Sequence, residues 1–162
     1  MKFEHLIEIN DPLNPLMDTI TREQLWRGLV LRAESPKMFV PHLDECTIDE
    51  RTSGSFRRRL RYGDLVVEDQ VILTPLVEVR YEVPAQGDIS QSRLTMSIEE
   101  PSAGRVYVRF RYDDGHNEPV VDEVNAMYDE FKKSAYQEAD IDTVRILREL
   151  AADGKLDASL LN

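Results

Sequence analysis

Hydrophobic and polar positions alternate along most of this chain, then change to a helical period near its end. Phe3, His5, Ile7 and Ile9 share one parity of a first strand, Lys2 to Asn10, which the breaker-rich Asn10-Asp11-Pro12-Leu13-Asn14-Pro15 terminates. A helix is predicted from Thr21, where Thr21 and Gln24 form a capping-box pattern. Its apolar positions Leu25, Trp26, Leu29, Val30 and Ala33 recur at helical spacing. Ser35-Pro36 reads as a second N-cap opening one short turn through Phe39, and Pro41 closes it.

From Asp44 to Asp113 the pattern is a succession of strands with tight turns. Asp44 to Arg51 places Cys46 and Ile48 on one face. Ser55 to Tyr62 and Leu65 to Leu73 flank Gly63-Asp64, a short hairpin signal that fixes register. Tyr62 then faces Leu65, Leu60 faces Val67, Arg58 faces Asp69 and Phe56 faces Val71. At the next turn a loop of Thr74-Pro75-Leu76 keeps apolar against apolar, with Leu73 facing Val77, Val71 facing Val79 and Asp69 facing Tyr81. Arg58 and Asp69 alone interrupt the apolar face of these strands, while Arg57, Arg59, Arg61, Glu68, Gln70, Glu78, Arg80 and Glu82 take the opposite one.

After the polar loop Pro84 to Ser90, Arg93 to Glu99 and Arg105 to Asp113 form a last hairpin. Leu94, Met96, Ile98, Val106, Val108 and Phe110 point inward. Pro119 marks where a helix begins, with Val120, Val124, Met127, Tyr128, Phe131 and Ala135 as its apolar stripe. Continued to Ala152 it would be about 50 Å long at ~1.5 Å per residue, against roughly 30 Å for the strands. It must either overhang the sheet or break near Asp140, a fair N-cap for a segment carrying Ile141, Val144, Leu147 and Leu150.

An antiparallel sheet of this extent curls, and one helix across it leaves a hollow. The expected cavity residues are therefore Phe56, Leu60, Val71, Val79, Met96, Val108 and Phe110 from the strands, and Val124, Met127, Tyr128 and Phe131 from the helix. Arg58, Asp69 and Tyr81 supply a polar handle, and His5 shares the inward parity of the first strand. Arg58 and Asp69 read either as a buried pair that satisfies itself or as a group that orients a ligand. Arg58 holds Asp69 ionised while burial opposes that, which makes Asp69 a poor general acid.

Composition narrows the classes. A chain of 162 residues is expected to form one domain, 1–162. Its formal charge of −11 argues against nucleic-acid binding. The lone Cys46 allows no internal disulfide and fits a reducing, cytoplasmic setting. With no apolar run near ~20 residues, membrane insertion is not expected, and a strand pattern beginning at once suggests no signal peptide. His42 and His116 have no partner at metal-ligand spacing, so neither metal nor cofactor is expected.

The chain resembles the helix-grip fold of the START and birch-pollen-allergen type, the SRPBCC superfamily, and within it the AtaL-like family. The resemblance rests on Met1-Lys2-Phe3-Glu4-His5, on Leu25-Trp26-Arg27-Gly28-Leu29-Val30-Leu31-Arg32-Ala33, on Phe39-Val40-Pro41, and on Ala139-Asp140-Ile141-Asp142-Thr143-Val144. It implies an α+β fold of seven strands wrapped around a long C-terminal helix, enclosing a deep cavity. Related domains bind lipids, hormones or polyketides, and some catalyse cyclisation. Two functions follow as expectations. One is binding of a small hydrophobic or aromatic molecule. The other is an aromatase- or cyclase-like enzyme that moves a proton with His5, Asp69 or Tyr81. A homodimer is compatible with either.

Overall fold

A computed structural model of the chain describes residues 1–115 and 122–158. The elements are β1 (Lys2–Asn10), α1 (Arg22–Glu34), a 3₁₀ turn (Pro36–Met38), β2 (Glu45–Asp49), β3 (Ser55–Tyr62), β4 (Leu65–Thr74), β5 (Glu78–Val83), β6 (Ser92–Ser102), β7 (Arg105–Asp113) and α2 (Glu123–Ala152). The expected helix positions Pro119 and Val120, and His116, lie outside the described residues.

Among the described residues the strands form one antiparallel, curved sheet in the order β1-β7-β6-β5-β4-β3-β2. Since β1 and β2 occupy opposite edges, the connection between them must cross the sheet's whole width. That connection carries α1, whose Leu25, Leu29 and Ala33 are buried in the core. The Thr21 side chain accepts from the Gln24 N–H at 3.1 Å, and the Gln24 Oε1 accepts from the Thr21 N–H at 2.9 Å. The capping box thus closes both ways. Beneath α1 lie Ile9, Met96, Val108 and Phe110, all fully buried, and from α2 Leu147. Gly28 is where the helices meet: a Cβ there would collide with Leu147 Cδ2.

The hairpin of β3 and β4 has the expected register, with Tyr62 opposite Leu65 and Arg58 opposite Asp69. Gly63 takes a φ of 61°, which lets a two-residue turn follow the strand twist. The next hairpin differs from expectation. Leu73 pairs with Val79 and Val71 with Tyr81, so the loop is Pro75-Leu76-Val77. Parity survives, but the register moves by two residues. Pro75 has no N–H for the ladder, Leu76 adopts φ 63°, and the Val77 N–H bonds the Thr74 carbonyl at 2.9 Å.

Of the two courses expected for α2, overhang or a break near Asp140, the overhang is the one observed. It is one continuous helix through Asp140, which is a fully buried mid-helix residue rather than an N-cap. The observed N-cap is Asp122, whose Oδ1 accepts from the Val124 N–H at 2.9 Å. Val124, Met127, Tyr128 and Phe131 are exposed, at 57, 73, 65 and 77% respectively, and do not face the sheet. Helical phase explains this. At about 100° per residue, the 124–135 stripe points roughly 150° away from the face holding Tyr136, Asp140, Val144 and Leu147. A straight helix buries one of the two against a given sheet. The distal half wins, and the proximal half overhangs. No described helix is long and apolar enough to cross a membrane.

Candidate ligand-binding cavity

A cavity of about 280 Å³ opens at the end of the sheet where α1 finishes. Arg32 near the end of α1, Pro36 of the 3₁₀ turn and Val40 form one side. Leu60 and Tyr62 of β3, Val67 and Asp69 of β4, Tyr81 and Val83 of β5, Leu94 of β6 and Tyr112 of β7 form the other. α2 contributes Tyr136. Strand alternation explains the lining, since each of these strand residues shares the inward parity of its strand.

Arg58 and Asp69 meet in the wall as an almost fully buried pair, 6% and 4% exposed. Arg58 Nε donates to Asp69 Oδ1 at 2.9 Å and Nη2 to Oδ2 at 2.5 Å. Its Nη1 donates to the Ala33 carbonyl at 3.0 Å, satisfying a C-terminal carbonyl of α1. Burial works against the Arg58 charge, but the Asp69 carboxylate outweighs it and holds the guanidinium pKa above its usual value. This fork-to-fork geometry leaves both oxygens of Asp69 engaged.

Two cations stand close to the Tyr81 ring. The Arg58 guanidinium is 4.8 Å and that of Arg32 5.5 Å from its ring centroid. Arg32 Nη1 donates to the Tyr81 hydroxyl at 3.2 Å, and its Nε donates to Thr143 Oγ1 of α2 at 3.3 Å. Arg32 thus ties α1 to both β5 and α2. Burial pushes the Tyr62 phenol pKa upward, partly offset by Arg58 and Arg32, so Tyr62 stays protonated at neutral pH.

Next to the cavity, a carboxylate from α2 enters the sheet. Asp140 Oδ1 accepts from the Tyr112 hydroxyl at 2.5 Å, and Oδ2 is 2.6 Å from His5 Nε2. Desolvation raises the Asp140 pKa, although the Tyr112 and His5 hydrogen bonds oppose it. Desolvation and the neighbouring Asp140 together push the Tyr112 phenol far upward. Tyr112 and Tyr136 stack with centroids 3.9 Å apart and planes 6° apart, with Phe3 and His5 adding to the aromatic cluster.

Of the residues expected to form the cavity, Arg58, Asp69, Tyr81 and Leu60 line it. Phe56, Val71, Val79, Met96, Val108 and Phe110 are buried in the packed core instead, because α1 and the distal half of α2 fill that part of the hollow. His5 is bonded to Asp140 and does not line the cavity. Val124, Met127, Tyr128 and Phe131 face away from it. The sequence reading missed Arg32, Tyr112 and Tyr136. Arg32 shares the buried face of α1 at helical spacing from Leu25, Gly28 and Leu29, so its phase was available as a signal, but a charged residue there was not read as inward. Tyr112 alternates with Arg111 and Asp113, so its parity was available as a signal. Cys46 pairs across from Leu60, is half-buried, and burial raises its thiol pKa. Among the described residues, no three His, Cys, Asp or Glu side chains converge as a metal site would require.

No curated protein matches the sequence. Solved structures do resemble the fold. The di-domain ARO/CYC StfQ from the steffimycin biosynthetic pathway aligns with TM-score 0.65 at 11% identity, over 94% of this chain and 51% of that one. This chain therefore spans about half of that protein's length. Zhui aromatase/cyclase from Streptomyces sp. R1128 aligns with TM-score 0.63 at 14% identity, over 98% and 97% of the two chains. Human STARD10 aligns with TM-score 0.58 at 11% identity, over 93% of this chain and 64% of that one. At such identities the likeness concerns the fold. The family described as AtaL, acetylaranotin biosynthesis cluster protein L, matches residues 7–154, and the chain belongs to that family.

Proposed function

We propose that this protein binds a compact, ring-containing apolar molecule in the cavity between the end of α1, the sheet and Tyr136. The observation that carries this reading is the hollow itself. The remainder of the concave face is filled by Phe110, Met96, Leu29 and Leu147, yet space remains beside Leu60, Val67, Val83 and Leu94. Its volume of about 280 Å³ lies at the lower edge of the ~300–1,000 Å³ common for small-molecule sites. That size suits a fused-ring compound better than a lipid with two acyl chains. Several solved structures of similar fold being aromatase/cyclases, including Zhui, supports a ring-bearing ligand.

The binding reading is preferred to an enzymatic one on geometry. Of the three residues an enzyme here was expected to use, His5 does not line the cavity and Asp69 is taken up by Arg58. Tyr81 does border it, but its hydroxyl already accepts from Arg32. The test is native mass spectrometry of gently purified protein, comparing wild type with Val67→Phe, which fills the cavity from β4. The expected result is a small molecule retained by wild type and lost from a folded Val67→Phe variant. Equal retention by both proteins sinks the assignment of this cavity.

A further inference from the structure

We infer that the cavity selects planar ligands carrying an anionic oxygen, with the guanidinium of Arg32 as the group that receives it. This rests on the binding reading above and sharpens it to a ligand class. The inference comes from a count of charges around the hollow. Three cations other than Arg32 stand at or near its lining, and each is matched. Arg58 is bound by both oxygens of Asp69. Arg93 Nε meets Glu82 Oε1 at 3.1 Å, a partner it shares with Arg80. The Met1 ammonium is paired with Asp114.

Arg32 differs. Its Nε and Nη1 donate only to neutral hydroxyls, those of Thr143 and Tyr81, and it forms no ion pair among the described residues. Nη2 makes no hydrogen bond among them. Asp140 acts on Arg32 electrostatically, but its two oxygens are held by Tyr112 and His5. A guanidinium fixed at two corners with its remaining N–H edge free is shaped for an oxyanion. Tyr62 adds a phenol on the same lining whose hydroxyl has no hydrogen-bond partner among the described residues. The stacked Tyr112 and Tyr136 supply a flat aromatic wall, which favours a planar ligand. Asp113 also borders the cavity, its Oδ1 accepting from the Gly115 N–H at 2.9 Å. It disfavours anions at the mouth, so selectivity must come from Arg32.

The probes are naphthalene carboxylate and naphthalene carboxamide, alike in shape and unlike in charge, titrated by calorimetry into the full chain at neutral pH. Wild type is expected to bind the carboxylate about tenfold or more tightly than the amide, as a charge-assisted pair in a half-buried site implies. Arg32→Gln should erase that preference, and Arg32→Lys should keep part of it. Circular dichroism and thermal unfolding check that each variant is folded. Equal affinity for both probes in wild type, or a preference unchanged in folded Arg32→Gln, overturns the anion assignment and leaves the cavity reading standing. Failure of wild type to bind either probe overturns the cavity reading, and this inference with it.

Discussion

Among the described residues two carboxylates, Asp69 and Asp140, are buried, and their surroundings give them opposite characters. Asp69 faces a guanidinium with complementary geometry, and the pair is satisfied internally by two hydrogen bonds and by the Ala33 carbonyl. Truncating Arg58→Ala leaves the Asp69 charge buried without its partner, which is expected to cost about 3–5 kcal/mol in chemical denaturation. Replacing both partners, Arg58→Met with Asp69→Leu, should recover much of that loss, because the desolvation penalty goes with the charges. A double variant no more stable than Arg58→Ala alone would show that the pair contributes net stability.

Asp140 is bonded by a phenol and an imidazole rather than by a guanidinium, and burial raises its pKa despite those hydrogen bonds from Tyr112 and His5. The sign of the pH dependence follows. A carboxyl whose folded pKa exceeds its unfolded value of about 3.9 binds more protons in the folded state. Its favourable contribution is complete below that value and declines as pH rises through the raised folded pKa. Asp140→Asn removes the titration while keeping an acceptor for the Tyr112 hydroxyl. Between pH 4 and neutrality, wild-type melting temperature should therefore fall relative to the variant's, and a constant difference between them would refute the argument.

At the scale of elements, the parity of strands was readable and their absolute register was readable only where a turn dictated it. Gly63-Asp64 admits one short loop, so every pair from Tyr62–Leu65 to Phe56–Val71 was legible. At Thr74–Glu78 two loops of equal length satisfy the same parity, and the choice fell on the position of Pro75 and the left-handed Leu76. Apolar alternation cannot separate registers differing by two residues. The terminal helix shows the complementary limit. Each half of α2 has an apolar stripe, and the sequence shows both. Which stripe meets the sheet depends on phase carried across the whole helix. Gly28, by permitting close approach to Leu147, selects the distal half. The cavity suffers from the same limit. Arg58, Asp69 and Tyr81 were legible as inward polar residues on strands; Arg32 and Asp140 share the buried faces of their helices by spacing, but the partners they meet are set by packing between α1, α2 and β1.

For the molecule as a whole, these element contacts imply an uneven distribution of stability. β1 joins β7, far from it in sequence, with His5 opposite Phe110 and Ile7 opposite Val108. The core holding Phe110, Met96 and Leu29 is completed by Val144, Leu147 and Leu150 of α2. Opening the distal half of α2 therefore exposes the core itself, so its amides can exchange only with something close to global unfolding. The proximal half has no such anchor: Val124, Met127, Tyr128 and Phe131 are exposed, and its hydrogen bonds can open while the sheet stays closed. Hydrogen exchange followed by mass spectrometry should thus find peptides covering 140–150 protected as strongly as β6 and β7, and peptides covering 123–135 exchanging orders of magnitude faster. Equal protection along the helix would mean that the 124–131 stripe is buried in solution, placing the helix against the sheet in a different phase. The walls assigned to the cavity through Tyr136 would then have to be redrawn.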